Sequence, residues 1–193
     1  DDAAGSTAAR LWWMLRQVGH QRVSVLDGGL SAWRATGYPV TADVPVIEPV
    51  TFIPDVRKGL VASRSDVNDA RSSSGSVVID ARARERFEGR VEPIDVRAGH
   101  IPGARNAPFS ENLVRSEVDG ISRFKTADAL RRQFQNVGID DTKTVFIYCG
   151  SGVTACHNAL ALEIAGFPEP RVYVGSWSDW SSDPTLPVAT GEA

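Results

Sequence analysis

One twelve-residue stretch, Thr144-Val-Phe-Ile-Tyr-Cys-Gly-Ser-Gly-Val-Thr-Ala155, limits what this chain can fold into more than any other. Its opening residues are β-branched or aromatic and read as a buried strand that stops at Cys149. A glycine-rich turn follows, and Ala155 to Gly166 reads as a helix. A thiol at that junction faces loop N–H groups and the positive end of a helix dipole, a setting that stabilises thiolate over thiol. A cysteine can equally be a small buried hydrophobe. Gly150 and Gly152 favour the nucleophile, because they let the backbone curl around the sulfur and take positive φ, which packing alone does not require. Cys156, two helical turns further on, is expected in the core.

The chain of 193 residues is long enough to bury a full core. Its formal net charge of −3 offers no electrostatic case for nucleic acid or an anionic membrane. No apolar run approaches the ~20 residues of a membrane span. Cys149 and Cys156 share one segment and do not suggest a structural disulfide, so a reducing, cytoplasmic compartment is expected. Three histidines beside a single plausible thiolate offer no metal site, and no cofactor is expected.

Shifting the chain against itself by 147 positions aligns two segments without a gap: Asp2 to Ala9 falls on Cys149 to Cys156. Gly5, Thr7 and Ala8 match Gly152, Thr154 and Ala155; further on, Gly19, Val25, Gly28, Ser31 and Trp33 match Gly166, Val172, Gly175, Ser178 and Trp180. The order of helix, strand and Gly-x-x-x-x-Trp is common to both, which reads as internal duplication of a domain-sized unit. Asp2 takes the place of the nucleophile in the first copy, which excludes thiol chemistry there. That copy is expected to keep a helix over 7–18, a strand over 22–26 and a terminal helix over 30–36. It would leave Trp12, Trp13 and Leu15 exposed and in need of a partner, either the absent first-domain segment as a separate chain or a neighbouring copy. The expected domains are 1–40 (the C-terminal part of an inactive first copy), a proline-marked linker over 41–57, and a catalytic unit over 58–193.

Within the second copy, Val77 to Asp80 reads as a short buried strand ending on a carboxylate, and 82–87 as a short helix. Gly89 to Gly99 reads as a long polar loop, and 126–136 as a helix with Thr126 as its cap. Strand 144–149, helix 155–166, strand 172–174 and a turn at Trp177–Trp180 complete it. Strands alternating with helices predict an α/β fold, an open parallel sheet with helices on both faces. The Cys149 loop then lies at the carboxyl end of a strand, where such folds bind ligands.

These motifs resemble those of the tandem-domain rhodanese-type sulfurtransferases, and more closely the 3-mercaptopyruvate branch. The resemblance is carried by Asp80-Ala-Arg82, Arg86-Phe-x-Gly89, Gly99-His-Ile-Pro-Gly-Ala104-x-Asn106, the Cys149 loop, and Tyr173-x-Gly-Ser-Trp177-x-x-Trp180, with Leu26-Asp-Gly-Gly-Leu30-x-x-Trp33 as its counterpart in the first copy. Val96 departs from the family's usual aromatic, and Asp179 from its more common glutamate. The resemblance implies a rhodanese-like fold and double displacement through a Cys149 persulfide. A small-molecule sulfur donor, 3-mercaptopyruvate or thiosulfate, would load Cys149, and a thiol, thioredoxin or cyanide would accept the sulfur. The alternatives are a thiosulfate-specific enzyme, or a non-catalytic persulfide carrier or interaction module that depends on the missing half.

The resemblance assigns Cys149 and Ser151 to catalysis and Gly150, Gly152, Val153 and Thr154 to the cradle. Gly150 and Ser151 are neutral where thiosulfate-preferring relatives carry basic side chains, so a substrate carboxylate needs a cation from elsewhere. The resemblance makes Arg86 the first candidate, because it matches the family's substrate-binding arginine; Arg97 is the second, since a guanidinium grips a carboxylate bidentately. Asp80 is expected to tie loop backbone, Arg82, Arg84 and Arg90 to be solvated or ion-paired, and His100 to make a structural hydrogen bond. A phosphatase is disfavoured: its cradle needs an arginine at the helix start, and here none occurs between Cys149 and Arg171.

Overall fold

In the computed structural model, residues 1 and 3–192 are described. Helices α1 (Ser6–Gln17) and α2 (Gly29–Ala35) come first, followed by an exposed stretch over 41–56 without regular structure. Then come β1 (Val61–Ala62), α3 (Arg64–Ala70), β2 (Ser76–Asp80), α4 (Arg84–Phe87) and β3 (Arg105–Asn106). A hairpin of β4 (Leu113–Arg115) and β5 (Ser122–Phe124) precedes α5 (Ala127–Asn136), β6 (Thr144–Tyr148), α6 (Val153–Ile164), β7 (Arg171–Tyr173) and α7 (Ser176–Ser182). The main sheet is parallel throughout, in the order β1-β7-β6-β2-β3. None of the described helices is long and apolar enough to cross a membrane.

The period-two alternation of the strands divides the core. Val77, Ile79, Val145 and Ile147 face one side, with α1, α5 and α6. Val78, Phe146 and Tyr148 face the other, with Val67 and Ala70 of α3 and Trp177 and Trp180 of α7. Both faces of β2 and β6 are therefore covered, as a parallel sheet requires. Local signals start the helices: Ser63 and Asp66 form a reciprocal capping box on α3, and the Thr126 hydroxyl accepts from the Ala129 N–H on α5.

The repeat reappears as geometry. Displaced by 147 positions, α1 coincides end for end with α6, and α2 with α7. Gly5 and Gly152, their N-caps, have φ of 82° and 78°. Two expectations for the first copy are corrected. Residues 22–26 form no strand, because an extended segment becomes one only beside a ladder partner and none lies there among the described residues. Trp12 and Trp13 are buried, because α1 packs along α6 and seals them into the core; Leu11 and Met14 carry its exposed apolar surface instead. Arg16 lies over Trp12 and pairs with Glu163 and Glu169 at 2.6 and 2.8 Å. Asp2, which takes the nucleophile's position in the first copy, lies outside the described residues.

At the end of β2, Asp80 and Arg82 form an ion pair removed from water. The Arg82 guanidinium donates to both Asp80 oxygens (2.6–3.1 Å), to Glu92 Oε2 at 3.2 Å and to the Gly99 carbonyl at 2.7 Å, with Trp177 beneath it at 4.7 Å. Asp80 also accepts the Arg82 backbone N–H at 2.9 Å, the tie to loop backbone expected of it. His157 of α6 is equally buried: its Nδ1 accepts from Asn112 Nδ2 at 3.1 Å and its ring stacks on Phe124. Burial pushes its pKa down to about 4, against a smaller opposing effect of the Ala4 backbone.

Two stability predictions follow from these buried groups. Arg82→Met strands the Asp80 carboxylate and should lower unfolding free energy by about 3–5 kcal/mol, with much of it regained in the Asp80→Leu/Arg82→Met double variant. A loss of about 1 kcal/mol or less in urea unfolding, as for an exposed pair, would contradict the assignment. The unfolded chain takes up the His157 proton near its ordinary pKa, whereas the folded chain does so only near 4. Stability should therefore fall as pH drops from about 6.5 towards 4, by up to about 3 kcal/mol from this residue. His157→Gln should flatten that part of the profile; an unchanged slope would place its origin elsewhere.

Candidate active site

Cys149 directly follows β6 at its carboxyl end, beneath the first turn of α6. Its Sγ accepts the Gly152 N–H at 3.1 Å, and the side chain is nearly closed off at 2% exposure. Gly152 makes this turn possible: its φ is +78°, and a Cβ there would come within 2.7 Å of the Val174 carbonyl. Gly150 does not share the positive φ expected of it. Its contribution is room, since a Cβ would meet Arg86 Nη1 at 3.5 Å. Arg10 of α1 reaches the loop from behind, donating to the Gly152 carbonyl at 2.6 Å.

The loop is held from below by α7. Trp177 and Ser178 backbone N–H groups donate to the Cys149 and Gly150 carbonyls at 2.9 and 3.0 Å, and the Ser178 hydroxyl adds 2.8 Å to Gly150. Ser176, fully buried with φ +55°, accepts the Cys149 N–H at 3.1 Å and donates to the Tyr173 carbonyl at 2.8 Å, with its Oγ 4.0 Å from Cys149 Sγ. Sequence reasoning includes Ser176 in a motif but gives it no place at the sulfur. Its only signal is its position just past β7, the strand beside β6.

A cavity of about 330 Å³ opens over the sulfur, lined by Cys149, Gly150, Ser151, Val153 and Thr154 of the loop and by Arg82, Arg86, Ile94, Asp95 and Phe109. The structure thus brings together Cys149, Ser151, Gly150, Val153, Thr154 and Arg86, with Gly152 beneath. Ser151 is exposed at the rim. Arg97 is not part of the group. Its guanidinium is spent on four carbonyls, those of Trp180, Ser181, Asp183 and Leu186, at 2.5–3.0 Å. The orphan carbonyls at the end of α7 take up a cation that sequence alone offers to the substrate.

Arg86 approaches the cradle already paired. Its Nη2 donates to Glu92 Oε1 at 2.7 Å and to Asp95 Oδ2 at 3.0 Å, and its Nε to Glu92 Oε2 at 3.3 Å. Burial works to raise the Glu92 pKa, but Arg86 and the N–H groups of Asp95 and Ile94 outweigh it and hold the carboxyl below its ordinary range. Arg84 and Arg90 are exposed, each beside Glu88. His100 makes a backbone hydrogen bond, Nδ1 to the Phe87 carbonyl at 2.7 Å, and stacks on the Phe87 ring. Cys156 is buried, and that burial pushes its thiol up to about 12 despite Arg10 nearby. No cluster of three His, Cys, Asp or Glu side chains suited to a metal ion occurs among the described residues.

A probable 3-mercaptopyruvate sulfurtransferase of Pseudomonas aeruginosa is 44% identical over the whole of this chain and 66% of its own length. A thiosulfate sulfurtransferase of Rattus norvegicus is 36% identical over the whole chain and 65% of its own length. The chain thus spans about two thirds of these relatives. The solved structure of an EanB variant in complex with ergothioneine superposes with a TM-score of 0.83 at 26% identity, over 96% of this chain and 45% of that one. The rhodanese-like domain model matches residues 63–183, from the cap of α3 to the residue after α7, and the chain belongs to the rhodanese family.

Proposed function

We infer that this chain is the persulfide-bearing part of a sulfurtransferase that takes sulfur from 3-mercaptopyruvate, or from thiosulfate, and passes it to a thiol, thioredoxin or cyanide. The observation that carries the reading is the Gly152 N–H aimed at Cys149 Sγ at 3.1 Å, under a cavity that also holds Arg86. An N–H directed at sulfur at a helix N-terminus stabilises negative charge there, the state that attacks. The relatives' names support the reaction class.

Cys149 thiolate attacks the sulfur of 3-mercaptopyruvate. An S–S bond forms, the C–S bond breaks, and the carbon takes the proton that the donor thiol gives up, releasing pyruvate. With thiosulfate the leaving group is sulfite. The persulfide left on Cys149 keeps the negative charge, which the amides of Gly150 to Thr154 receive as an oxyanion hole would. Attack of a thiolate or cyanide on the outer sulfur then restores Cys149. Ser151 stands at the cavity rim, where a hydroxyl can pass a proton to the departing group. Arg86 offers the substrate carboxylate its cation. Cys156 remains a protonated thiol at neutral pH and takes no part. Two free thiols suit a reducing compartment such as the cytoplasm.

Intact mass after brief exposure to 3-mercaptopyruvate, with peptide mapping, tests this. The expected result is a gain of one sulfur atom on Cys149, removed by a small thiol and absent in Cys149→Ser. Sulfur on Cys156, or persistence in Cys149→Ser, would overturn the assignment.

A further inference from the structure

Arg86 is clamped by more negative charge than its positioning requires. Glu92 alone supplies a fixed anchor: with 3% of its side chain exposed, it accepts from Arg86, from Arg82 and from the N–H groups of Ile94 and Asp95. Asp95 is different. Its carboxylate, 5% exposed, has Arg86 as its sole hydrogen-bond partner among the described residues, and it lines the cavity above Cys149. The Nε and Nη2 atoms of Arg86 are therefore taken, and Nη1 alone is uncommitted among the described residues, on the side nearest Gly150. Of the charged groups here, Arg82, Arg86 and Asp95 line the cavity itself, while Asp80 and Glu92 pair with the two guanidiniums from outside it and Arg10 lies behind the loop.

We propose that Asp95 sets the charge selectivity of the sulfur-donor cavity, admitting monoanionic donors such as a mercapto-carboxylic acid and discriminating against dianions such as thiosulfate. The inference rests on the sulfurtransferase reading above. Coulomb repulsion from one carboxylate is proportional to the charge brought beside it, so a dianion meets twice the penalty of a monoanion in free energy. The single free nitrogen of Arg86 suits one carboxylate oxygen. Ile94 and Phe109 line the same cavity and offer a second anionic group no cation.

The test compares the whole chain with Asp95→Asn, which keeps the shape and an acceptor for Arg86, and with Asp95→Ser, which removes the charge differently. Two readouts are taken: sulfur loading of Cys149 by 3-mercaptopyruvate and by thiosulfate, and protection of Cys149 from iodoacetamide by pyruvate and by sulfate. Removing the charge should favour the dianion over the monoanion by about tenfold in both ratios, for a charge near a partly screened cavity. The shift should shrink at high salt. A ratio that moves less than about twofold, or a loss with both anions alike in both variants, would overturn the proposal and mark Asp95 as structural. If neither sulfur donor loads the unaltered chain while the protection ratios shift as described, the charge selectivity stands and the sulfurtransferase reading fails. If both donors load normally and the ratios do not shift, the sulfurtransferase reading stands and the charge selectivity fails.

Discussion

Glu92 holds two arginines at once, and through it the interior of the sheet is coupled to the mouth of the cavity. On one side it meets Arg82, whose guanidinium closes on Asp80 at the end of β2, on the Gly99 carbonyl and on the Trp177 ring. On the other it meets Arg86, which stands beside Gly150. A loop of eleven residues, Gly89 to Gly99, is thereby tied at its middle and at its end by charge-assisted hydrogen bonds rather than by apolar packing. Val91, Ile94 and Val96 on that loop stay exposed, so the ion pairs and not burial fix its course. Loss of Arg82 would strand Asp80 and take from Glu92 one of the donors that hold it beside Arg86.

The sulfur depends on a second constraint, supplied from the opposite direction. β6 and β7 are adjacent and parallel, so the residues following each strand meet at the carboxyl end of the sheet. Ser176 meets Cys149 there in a left-handed conformation that costs a non-glycine residue about 1–2 kcal/mol. Its hydroxyl accepts the Cys149 N–H and donates to the Tyr173 carbonyl, and the next residue's N–H binds the Cys149 carbonyl, which together offset that cost. The cysteine backbone is held on both its donor and its acceptor, and the thiol is left to the Gly152 amide.

Much of this is legible in the sequence, for reasons that particular residues make plain. The β-branched run ending in Cys149 and the glycine at 152 are local signals, and local physics decides a strand, a turn and a helix start. The repeat is legible because the helix-capping glycines, Gly5 and Gly152, and the Gly-x-x-x-x-Trp of Gly28–Trp33 and Gly175–Trp180 recur at one offset. What sequence conceals is pairing over distance. Nothing local to Arg97 says that the carbonyls ending α7 lie within reach, and nothing local to Asp95 says that it faces the same arginine as Glu92. Trp12 and Trp13 look exposed in the sequence because the face of α6 that covers them lies about 147 residues away. Segment 22–26 has the residues of a strand, yet only a neighbouring ladder makes one.

The central claim is that Cys149, held at the end of β6 by α7 and faced by the loop amides, carries the transferred sulfur. A crystal structure of the chain trapped with 3-mercaptopyruvate addresses it most directly. Density is expected for one additional atom bonded to Cys149 Sγ, within hydrogen-bond reach of the amides of Gly150 to Thr154. An unextended Cys149, with the extra sulfur on Cys156 or on no residue at all, would contradict it.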